Sequence, residues 1–194
     1  MNVLELFSGT HSVGKICDSL GWSSTSLDLQ DADININILD WDYKEYPPNH
    51  FDIIWASPPC QFFSKCRDTH IGRPLKRHGM KILTKQMLLD DIYKYGLPIL
   101  RKTEDIIEYF KPAYYWIENP TGSKMKHYIE EKYPEYFIYY DYDYCKYSDF
   151  GYRKTTRFYT NIPNLNPMRC KLDCNNLIET KDKNDKVKKI HRVC

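Results

Sequence analysis

Two short motifs place side chains suited to nucleophilic and acid–base chemistry at the ends of apolar runs. Cys60 follows two consecutive prolines, and Glu118 comes directly before Asn119 and Pro120. Proline has no N–H to donate to a β-ladder, so each motif is expected to end a strand and present its side chain at the sheet edge. A thiolate is a strong nucleophile, and a carboxyl group can donate or accept a proton. The alternative for a single cysteine is a small buried apolar residue.

A polar and basic stretch extends from Cys60 to about Lys81 and is expected to form a long functional or mobile loop. Its cations, Lys65 and Arg67 first, are expected to stabilise the thiolate of Cys60 and lower its pKa. The net charge is only +2, but clustered cations bind phosphate locally. The two clusters are Lys65, Arg67, Arg73, Lys76, Arg77 and Lys81, and residues 181–192. A solvated charged surface is the alternative for each.

A glycine turn and an acidic residue near the N-terminus indicate a second ligand site. Phe7, Gly9, Thr10 and His11 lie between the first predicted strand and the first predicted helix, and Asp28 closes the second strand. In a doubly wound sheet this turn lies where ligands bind, and the acid can accept hydrogen bonds from ribose hydroxyls. His11 stands where a dinucleotide fingerprint has its second glycine, which favours a cofactor without a phosphate to bind. A dinucleotide enzyme and an ordinary βα turn are the alternatives.

Alternating β-rich and helical stretches predict the elements that position these residues: an α/β fold with a doubly wound, mostly parallel sheet and an antiparallel terminal strand. Residues 82–109 are predicted to be mostly helical, with a break or second start at Gly96 and Pro98. No regular structure is predicted after residue 161. The predicted strands are 2–7, 25–29, 34–38, 51–56 and 114–117, with a closing antiparallel pair at 137–144 and 156–160, and a first helix at 12–20.

Composition predicts one folded domain. The chain of 194 residues is 42% hydrophobic and 15% aromatic, which is enough for one α/β core. It has no apolar run long enough for a bilayer and no signal-peptide pattern at its start, so we expect an intracellular protein, in the cytoplasm or the nucleus or nucleoid, or in a host cell if it is viral. Seven cysteines in such a compartment are expected to be thiols, metal ligands or a nucleophile.

Taken together and in order, these segments resemble the motifs of cytosine-5 DNA methyltransferases, and the chain is identified as a small member of viral or phage type. The resemblance covers residues 1–160, the predicted catalytic domain, and leaves residues 161–194 as a short Cys/Lys-rich tail with a reduced or truncated recognition region. The matching segments are Leu6-Phe7-Ser8-Gly9, Ser26-Leu27-Asp28, Asn37-Ile38-Leu39, Pro58-Pro59-Cys60-Gln61, Glu118-Asn119-Pro120, and Asp149-Phe150-Gly151 with Arg153 and Arg157.

The resemblance implies a Rossmann-like fold that binds S-adenosyl-L-methionine, releases S-adenosyl-L-homocysteine and acts on DNA. Cys60 would add to carbon 6 of a flipped-out cytosine, and protonated Glu118 would bind ring nitrogen 3. Arg157, with Arg153 as second choice, would hold the base oxygen and orient Glu118. The implied cofactor residues are Phe7, Gly9, Thr10, His11, Asp28, Leu29, Asn37, Ile38 and Pro59. The implied substrate-binding residues are Gln61, Ser64, Arg67, Asn119 and Pro120.

The chain also departs from the family pattern. His11 and Ser12 replace glycines, and the arginine motif lacks its usual glutamine. Residues 161–194 are too few for a full recognition region and a final motif that completes the cofactor pocket. A partner chain or a further C-terminal segment is therefore one expectation for the missing part. Two other functions remain open: methylation of cytosine in RNA, including tRNA, and a catalytically weak member that binds nucleic acid or a partner subunit.

The tail contains two pairs of soft metal ligands, Cys170 with Cys174 and His191 with Cys194. Four such groups could bind zinc tetrahedrally. We nevertheless predict no metal, and free thiols in a loose tail are the preferred interpretation.

Overall fold

The computed structural model describes residues 1–132, 138–149 and 152–191. Residues Phe137, Phe150, Gly151, Arg192 and Cys194, which entered the predictions above, lie outside that part. The helices are α1 Ser12–Leu20, α2 Lys85–Asp91, α3 Leu97–Phe110 and α4 Met125–Lys132. The strands are β1 Asn2–Leu6, β2 Ser23–Asp28, β3 Ile34–Asn35, β4 Ile53–Ala56, β5 Pro74–Leu75, β6 Lys81–Ile82, β7 Tyr114–Pro120, β8 Ile138–Asp143, β9 Thr155–Thr160, β10 Leu177–Lys181 and β11 Val187–His191.

Seven strands form the main sheet in the order β3-β2-β1-β4-β7-β9-β8. Strands β3, β2, β1, β4 and β7 are parallel, and β9 is inserted antiparallel between β7 and β8. The chain moves outward from β1 to β3 and then crosses to β4, so the strand order reverses between β1 and β4. Ligands of doubly wound sheets bind at the carboxyl ends of the strands beside such a reversal. The predicted fold class is confirmed.

The alternation of side chains along the strands gives the sheet two faces, which pack against different helices. One face carries Leu4, Ile54 and Ile117, which pack in the main core with buried residues of α3 and α4. The other face carries Val3 and Ile53, which pack against Cys17 of α1, with Trp116 beside them. We call these the α3 face and the α1 face. Because paired residues on neighbouring strands share a face, the register assigns every strand residue to one of them.

Strand β7 is longer than predicted, because its pairing with β9 on one edge extends beyond its pairing with β4 on the other. Its pairing with β4 ends at Ala56↔Ile117, and Pro58 and Pro59 prevent β4 from going further. Strand β9 continues to pair with β7 as far as Pro120↔Thr156. Glu118, Asn119 and Pro120 are therefore the last three residues of the strand and not the segment after it. Strand β3 is shorter than predicted, and the Asn37 side chain accepts the Leu39 N–H at 3.1 Å in the turn that follows.

The predicted break or restart near Gly96 and Pro98 is a π turn, Ile92–Gly96, between α2 and α3. Gly96 is required for packing, since a Cβ there would lie 2.9 Å from the Phe63 ring. Pro98 lies in the first turn of α3, where a missing N–H costs no helix hydrogen bond. The long loop predicted after Cys60 contains short 3₁₀ turns and the β5–β6 hairpin.

The tail contains regular structure that the sequence did not predict. Strands β10 and β11 form an antiparallel hairpin, with Asp182 accepting backbone N–H groups of Asn184 and Lys186 in its turn. Across the described residues, no helix combines the length and the apolar character needed to cross a bilayer.

Candidate active site

Cys60 begins a 3₁₀ turn directly after Pro59, at the carboxyl end of β4. Its side chain is half-buried, and Phe62 and Phe63, which follow after the exposed Gln61, are buried. The Phe63 ring fits against Gly96, which anchors the turn to the helical layer. Cys60 is thus presented from a fixed backbone, as the two prolines predicted.

The ends of β4 and β7 are joined by hydrogen bonds. The Asn119 side-chain amide donates to the Pro58 carbonyl at 3.5 Å, and the Lys124 N–H donates to the Phe63 carbonyl at 2.8 Å. Asn119 is buried, and its Oδ1 atom has no partner among the described residues. These contacts place the Cys60 turn beside Glu118.

Cys60, Glu118 and Lys154 form one electrostatic cluster. The Lys154 Nζ atom lies 3.5 Å from Glu118 Oε1 and 4.9 Å from the centre of the Tyr144 ring. Burial raises the pKa of the Cys60 thiol, the Glu118 carboxylate raises it further, and the Lys154 ammonium lowers it. Burial, together with Glu118, also raises the pKa of Tyr144 to about 12, so its phenol is neutral at physiological pH. The nucleophile and the carboxyl group predicted from sequence are therefore brought together.

The cations expected to activate Cys60 are not the ones that act on it. Arg67 pairs with the buried Asp91 on α2, and His78 contacts the same carboxylate at 3.1 Å. Arg77 lies 4.5 Å above the Phe62 ring. The basic loop is thus held against α2 by Arg67 and His78, whereas Lys65 is exposed. The net effect on Cys60 is a raised pKa, where the sequence predicted a lowered one.

Arg157 and Arg153 are paired with other carboxylates. Arg157 forms a two-point ion pair with Asp141, at 2.7 and 3.0 Å, and its guanidinium lies 3.8 Å from the Tyr139 ring centre. The register Glu118↔Phe158 and Asn119↔Arg157 puts Glu118 on the α1 face and Arg157 on the α3 face. The structure therefore does not bring Arg157 to the side chain that it was expected to orient.

Arg153 forms a two-point pair with Asp143, at 3.1 and 3.2 Å. The residue between the two arginines that reaches Glu118 is Lys154, which sequence reasoning missed. The available signal was the two-residue period of a strand: Lys154 has the parity of Thr156 and Phe158, the partners of Pro120 and Glu118.

The other predicted substrate-binding residues surround Cys60 without forming one surface. Gln61 is exposed, and the Ser64 side chain accepts the Cys66 N–H at 3.2 Å. Ser64 also forms an isolated bridge with Ser123, which joins the Cys60 loop to the segment after β7. Arg67 is held by Asp91, as described above.

The turn after β1 is held against the end of β2. The Gly9 N–H donates to Asp28 Oδ2 at 2.9 Å, and the Leu29 N–H donates to Asp28 Oδ1 at 2.7 Å. Phe7, Gly9 and His11 have φ angles of +62°, +50° and +54°, so the turn uses the left-handed region repeatedly. Glycine suits its position because of this backbone, since a Cβ there would meet no atom within 4 Å. The glycine turn and Asp28, which were expected to contribute to one ligand site, are therefore adjacent.

The N-terminus of α1 is occupied by a carboxylate from the sheet. The buried Glu5 accepts the Val13 N–H at 3.1 Å and the Gly14 N–H at 2.9 Å. A phosphate at this helix end would compete with Glu5 for these amides and would be repelled by its charge. The arrangement argues against a dinucleotide and for a cofactor without a phosphate here.

The remaining residues of this region offer surfaces for a nucleoside. The Leu29 side chain is 70% exposed beside Asp28, and the buried Ser8 hydroxyl has no partner in the described part of the chain. Thr10 is exposed, and the His11 ring contacts the Asp31 carbonyl. Ile38 belongs to the core, so its side chain supports the site from beneath.

The cofactor turn and the nucleophile lie at the same sheet edge. Strands β1 and β4 are neighbours, and the Ser57 N–H donates to the Leu6 carbonyl at 3.2 Å. The turn at residues 7–11 and the turn at Cys60 leave these two adjacent strand ends. A methyl acceptor bound at Cys60 and a methyl donor bound at Gly9 and Asp28 would thus lie side by side.

Among known sequences, the chain is 46% identical over 181 residues to a probable DNA (cytosine-5)-methyltransferase of frog virus 3 (isolate Goorha). The alignment covers 91% of this chain and 79% of that protein. The chain belongs to the cytosine-5 DNA methyltransferase family. The predicted family is thus confirmed. No family model matches the sequence.

Two solved structures share the fold of this methyltransferase. The Entamoeba histolytica methyltransferase EhMeth superposes with a TM-score of 0.55 at 17% identity, covering 87% of this chain and 55% of that one. The S. pombe Dnmt2 methyltransferase superposes with a TM-score of 0.53 at 16% identity, covering 87% of this chain and 53% of that one. The methyltransferase described here therefore spans about half the length of these two structures.

Proposed function

We propose that this methyltransferase transfers a methyl group to carbon 5 of a flipped-out cytosine in DNA, with Cys60 as the nucleophile. The observation that carries the proposal is the convergence of the Cys60 thiol and the Glu118 carboxyl group, from two neighbouring strand ends, around Lys154. The family relationship supports the reaction, and DNA is the substrate named for the frog virus relative.

The residues at the β1–β2 edge fit S-adenosyl-L-methionine, which carries a nucleoside and an amino acid but no phosphate. The cofactor supplies a methyl group on a positively charged sulfur and leaves as S-adenosyl-L-homocysteine. Asp28 would accept hydrogen bonds from the ribose hydroxyls, and Leu29 would contact the adenine. Asn37 would border the adenine, and the buried Ile38 would support it from the core. Phe7, Gly9, Thr10 and His11, with Pro59 from the neighbouring edge, would enclose the rest.

Cys60 performs the step that cytosine cannot do alone. Carbon 5 of the ring is too weak a nucleophile to accept a methyl group unaided. Addition of the Cys60 sulfur to carbon 6 places electron density on carbon 5. After methylation, loss of the proton from carbon 5 restores the double bond and breaks the bond between carbon 6 and Cys60. Because the pKa of Cys60 is raised, little of its thiol is ionised at neutral pH, so the nearby charges that favour the thiolate matter for its reactivity.

Glu118 and Lys154 would act together on the ring. Glu118, in its protonated form, would donate a hydrogen bond to ring nitrogen 3 and so stabilise the negative charge that develops there during addition. Lys154 contacts Glu118 and favours the thiolate of Cys60, so a single cation serves both groups. We assign to Lys154 the positioning role that the sequence suggested for the arginines. Arg157 pairs with Asp141 and Arg153 pairs with Asp143, and these ion pairs would stabilise β8 and β9.

DNA would approach along the edge that carries Gln61 and the exposed lysines and arginines of the loop after Cys60. Lys65, Arg73 and Lys76 are exposed and suited to phosphate contacts. Stacking buries the face of a base in a duplex, so the target must be extruded to reach Cys60. Neither the described residues nor the comparisons support the expected partner chain, and the proposal does not include one.

Methyl transfer from labelled S-adenosyl-L-methionine tests the proposal. The purified chain is incubated with cytosine-containing duplex DNA and, separately, with RNA of the same sequence, and the product nucleoside is identified by mass spectrometry. We expect 5-methylcytosine in DNA, no product with Cys60→Ser, and wild-type yield with Cys66→Ser, whose thiol is exposed and outside the site. Product in RNA alone would establish the RNA alternative. Nucleic-acid binding without product would support the catalytically weak alternative.

A further inference from the structure

We propose that Cys145, Cys170, Cys174 and His191 form a structural zinc site that fastens the tail to the catalytic sheet. Their ligand atoms all lie within 4.8 Å of one another. Cys145 lies in the turn after β8, and Cys170 and Cys174 lie in the segment between β9 and β10. His191 ends β11. Three separate stretches of the chain therefore meet at one point.

The distances suit a tetrahedral ion. The His191 Nε2 atom lies 3.5 Å from the Cys170 sulfur and 3.1 Å from the Cys174 sulfur. In a zinc site with Zn–S of about 2.3 Å and Zn–N of about 2.0 Å, tetrahedral geometry separates sulfur and nitrogen by about 3.5 Å and two sulfurs by about 3.8 Å. Small adjustments would therefore complete the site.

Three sulfurs and one imidazole nitrogen select a soft or borderline ion. Hard cations such as magnesium and calcium prefer oxygen ligands, whereas zinc forms closed sites with Cys₃His sets. Cys145 and Cys170 are buried and the other two ligands are half-buried, so the site leaves little room for substrate or water. Because all four ligands come from the protein, the ion would be structural.

The backbone around the ligands is already held by other side chains. The buried Asp143 carboxylate accepts the Cys170 N–H at 2.8 Å. The Asn176 amide donates to the carbonyls of Cys145, at 3.0 Å, and Ser148, at 2.7 Å. Such outer contacts orient the ligands of metal sites. They also distinguish the cluster from thiols that are close by chance in a loose tail.

This assignment changes the ligand set considered from sequence. Cys170, Cys174 and His191 converge as a zinc site requires, but Cys194 lies outside the described residues and Cys145 completes the set. Cys145 directly follows Tyr144, which contacts Lys154 at the candidate active site. A zinc ion would therefore fix the tail and also the turn that borders Glu118.

Elemental analysis of the purified full chain tests the site. The protein is prepared in reducing buffer without chelator, and zinc is measured per chain. We expect about one zinc ion per chain for the wild type and at least a roughly tenfold loss of zinc affinity for Cys145→Ser and for His191→Gln. The control is Cys66→Ser, which removes an exposed thiol outside the cluster and should retain the zinc. A wild-type chain without zinc at saturating metal, or with iron in its place, would overturn the proposal.

Two further measurements use the wild-type protein, so they do not depend on whether the variants fold. In reducing buffer, Cys145, Cys170 and Cys174 should resist alkylation until a chelator is added, while Cys66 should react throughout. Cobalt added to the chelated chain should give the visible bands of tetrahedral coordination and thiolate charge-transfer absorption. Alkylation of all three cysteines before chelation, or cobalt spectra without thiolate absorption, would contradict the site.

Discussion

Lys154 Nζ lies 3.5 Å from Glu118 Oε1, on the same face of the sheet and within the electrostatic reach of Cys60. This contact joins strand β7 to the segment that leads into β9. It gives the site a single cation whose removal would affect the nucleophile and the carboxyl group at once. The predicted effects of replacing Lys154 and of alkylating Cys60 depend on this contact.

Replacing Lys154 with Gln should slow methyl transfer by roughly 10- to 100-fold, in line with the loss of one positioned charge. The neutral amide removes the charge that favours the Cys60 thiolate and leaves Glu118 without its partner. Lys154→Arg keeps the charge and should recover much of the rate. Single-turnover rates with saturating DNA provide the measurement. Equal losses for Gln and Arg would mean that shape, and not charge, is what matters at this position.

Alkylation of Cys60 by iodoacetamide should be slow at neutral pH and should rise with pH to a higher midpoint than that of a reference thiol, a cysteine in a short unstructured peptide. The reason is that burial and the Glu118 carboxylate raise the pKa of Cys60, so the reactive thiolate forms later on the pH scale. The rate is followed by site-resolved mass spectrometry. Glu118→Gln should lower the midpoint, and Lys154→Gln should raise it. A midpoint below that of the reference thiol would contradict the electrostatic picture.

Asp28→Ala should greatly weaken binding of S-adenosyl-L-methionine, because it removes the ribose acceptor and frees the Gly9 and Leu29 amides. A cofactor at a hundred times its dissociation constant stabilises a protein by about 2.7 kcal/mol, which is visible as a higher melting temperature. We expect this shift in the wild type and in Glu179→Gln, a change on the exposed β10 strand, and its loss in Asp28→Ala. An unchanged shift in Asp28→Ala would place the cofactor elsewhere.

Glu5→Ala should destabilise the fold by about 1–3 kcal/mol, since it leaves the buried Gly14 amide and the part-buried Val13 amide at the start of α1 without an acceptor. Urea unfolding monitored by circular dichroism measures the change. Glu5→Gln keeps one acceptor oxygen and should lie between the wild type and the alanine variant. If Glu5→Ala bound ATP or another phosphate ligand at this turn, the exclusion of phosphate by Glu5 would be supported directly.

Arg157→Gln should lower the free energy of unfolding by roughly 1–3 kcal/mol, because it removes the two-point partner of the mostly buried Asp141 carboxylate and leaves only the 3.6 Å ion pair with Arg169. The double variant Arg157→Gln with Asp141→Asn should recover part of that loss. Urea unfolding of the two single variants and the double variant measures the coupling. A variant with wild-type stability but no methyl transfer would instead assign Arg157 to the base, as the family resemblance implied.

The strands that end at a recognisable sequence motif could be predicted from the sequence. Pro58 and Pro59 mark the end of β4 and so place Cys60, and the run before Glu118 marks β7. Side-chain direction could not be predicted, because it depends on the register between β7 and β9. A shift of one residue exchanges the faces, which is why Lys154 and not Arg157 meets Glu118.

The zinc ligands show the other limit of sequence reasoning. Cys170 and Cys174 stand close together in the sequence, but Cys145 comes from the turn after β8, far from the pair along the chain. Only the folding of the tail onto that turn reveals the fourth ligand. The β10–β11 hairpin was missed because its strands carry mostly polar and charged residues and lack the alternation of a half-buried strand.

Trapping with DNA that contains 5-fluorocytosine tests the account most directly. Fluorine at carbon 5 cannot leave as a cation, so the bond between the ring and the enzyme persists after methyl transfer. With S-adenosyl-L-methionine present, we predict a denaturation-resistant adduct whose peptide map places the base on Cys60, formed by the wild type and by Cys66→Ser. An adduct that still forms with Cys60→Ser, or that maps to another residue, would contradict the assignment of Cys60 as the nucleophile.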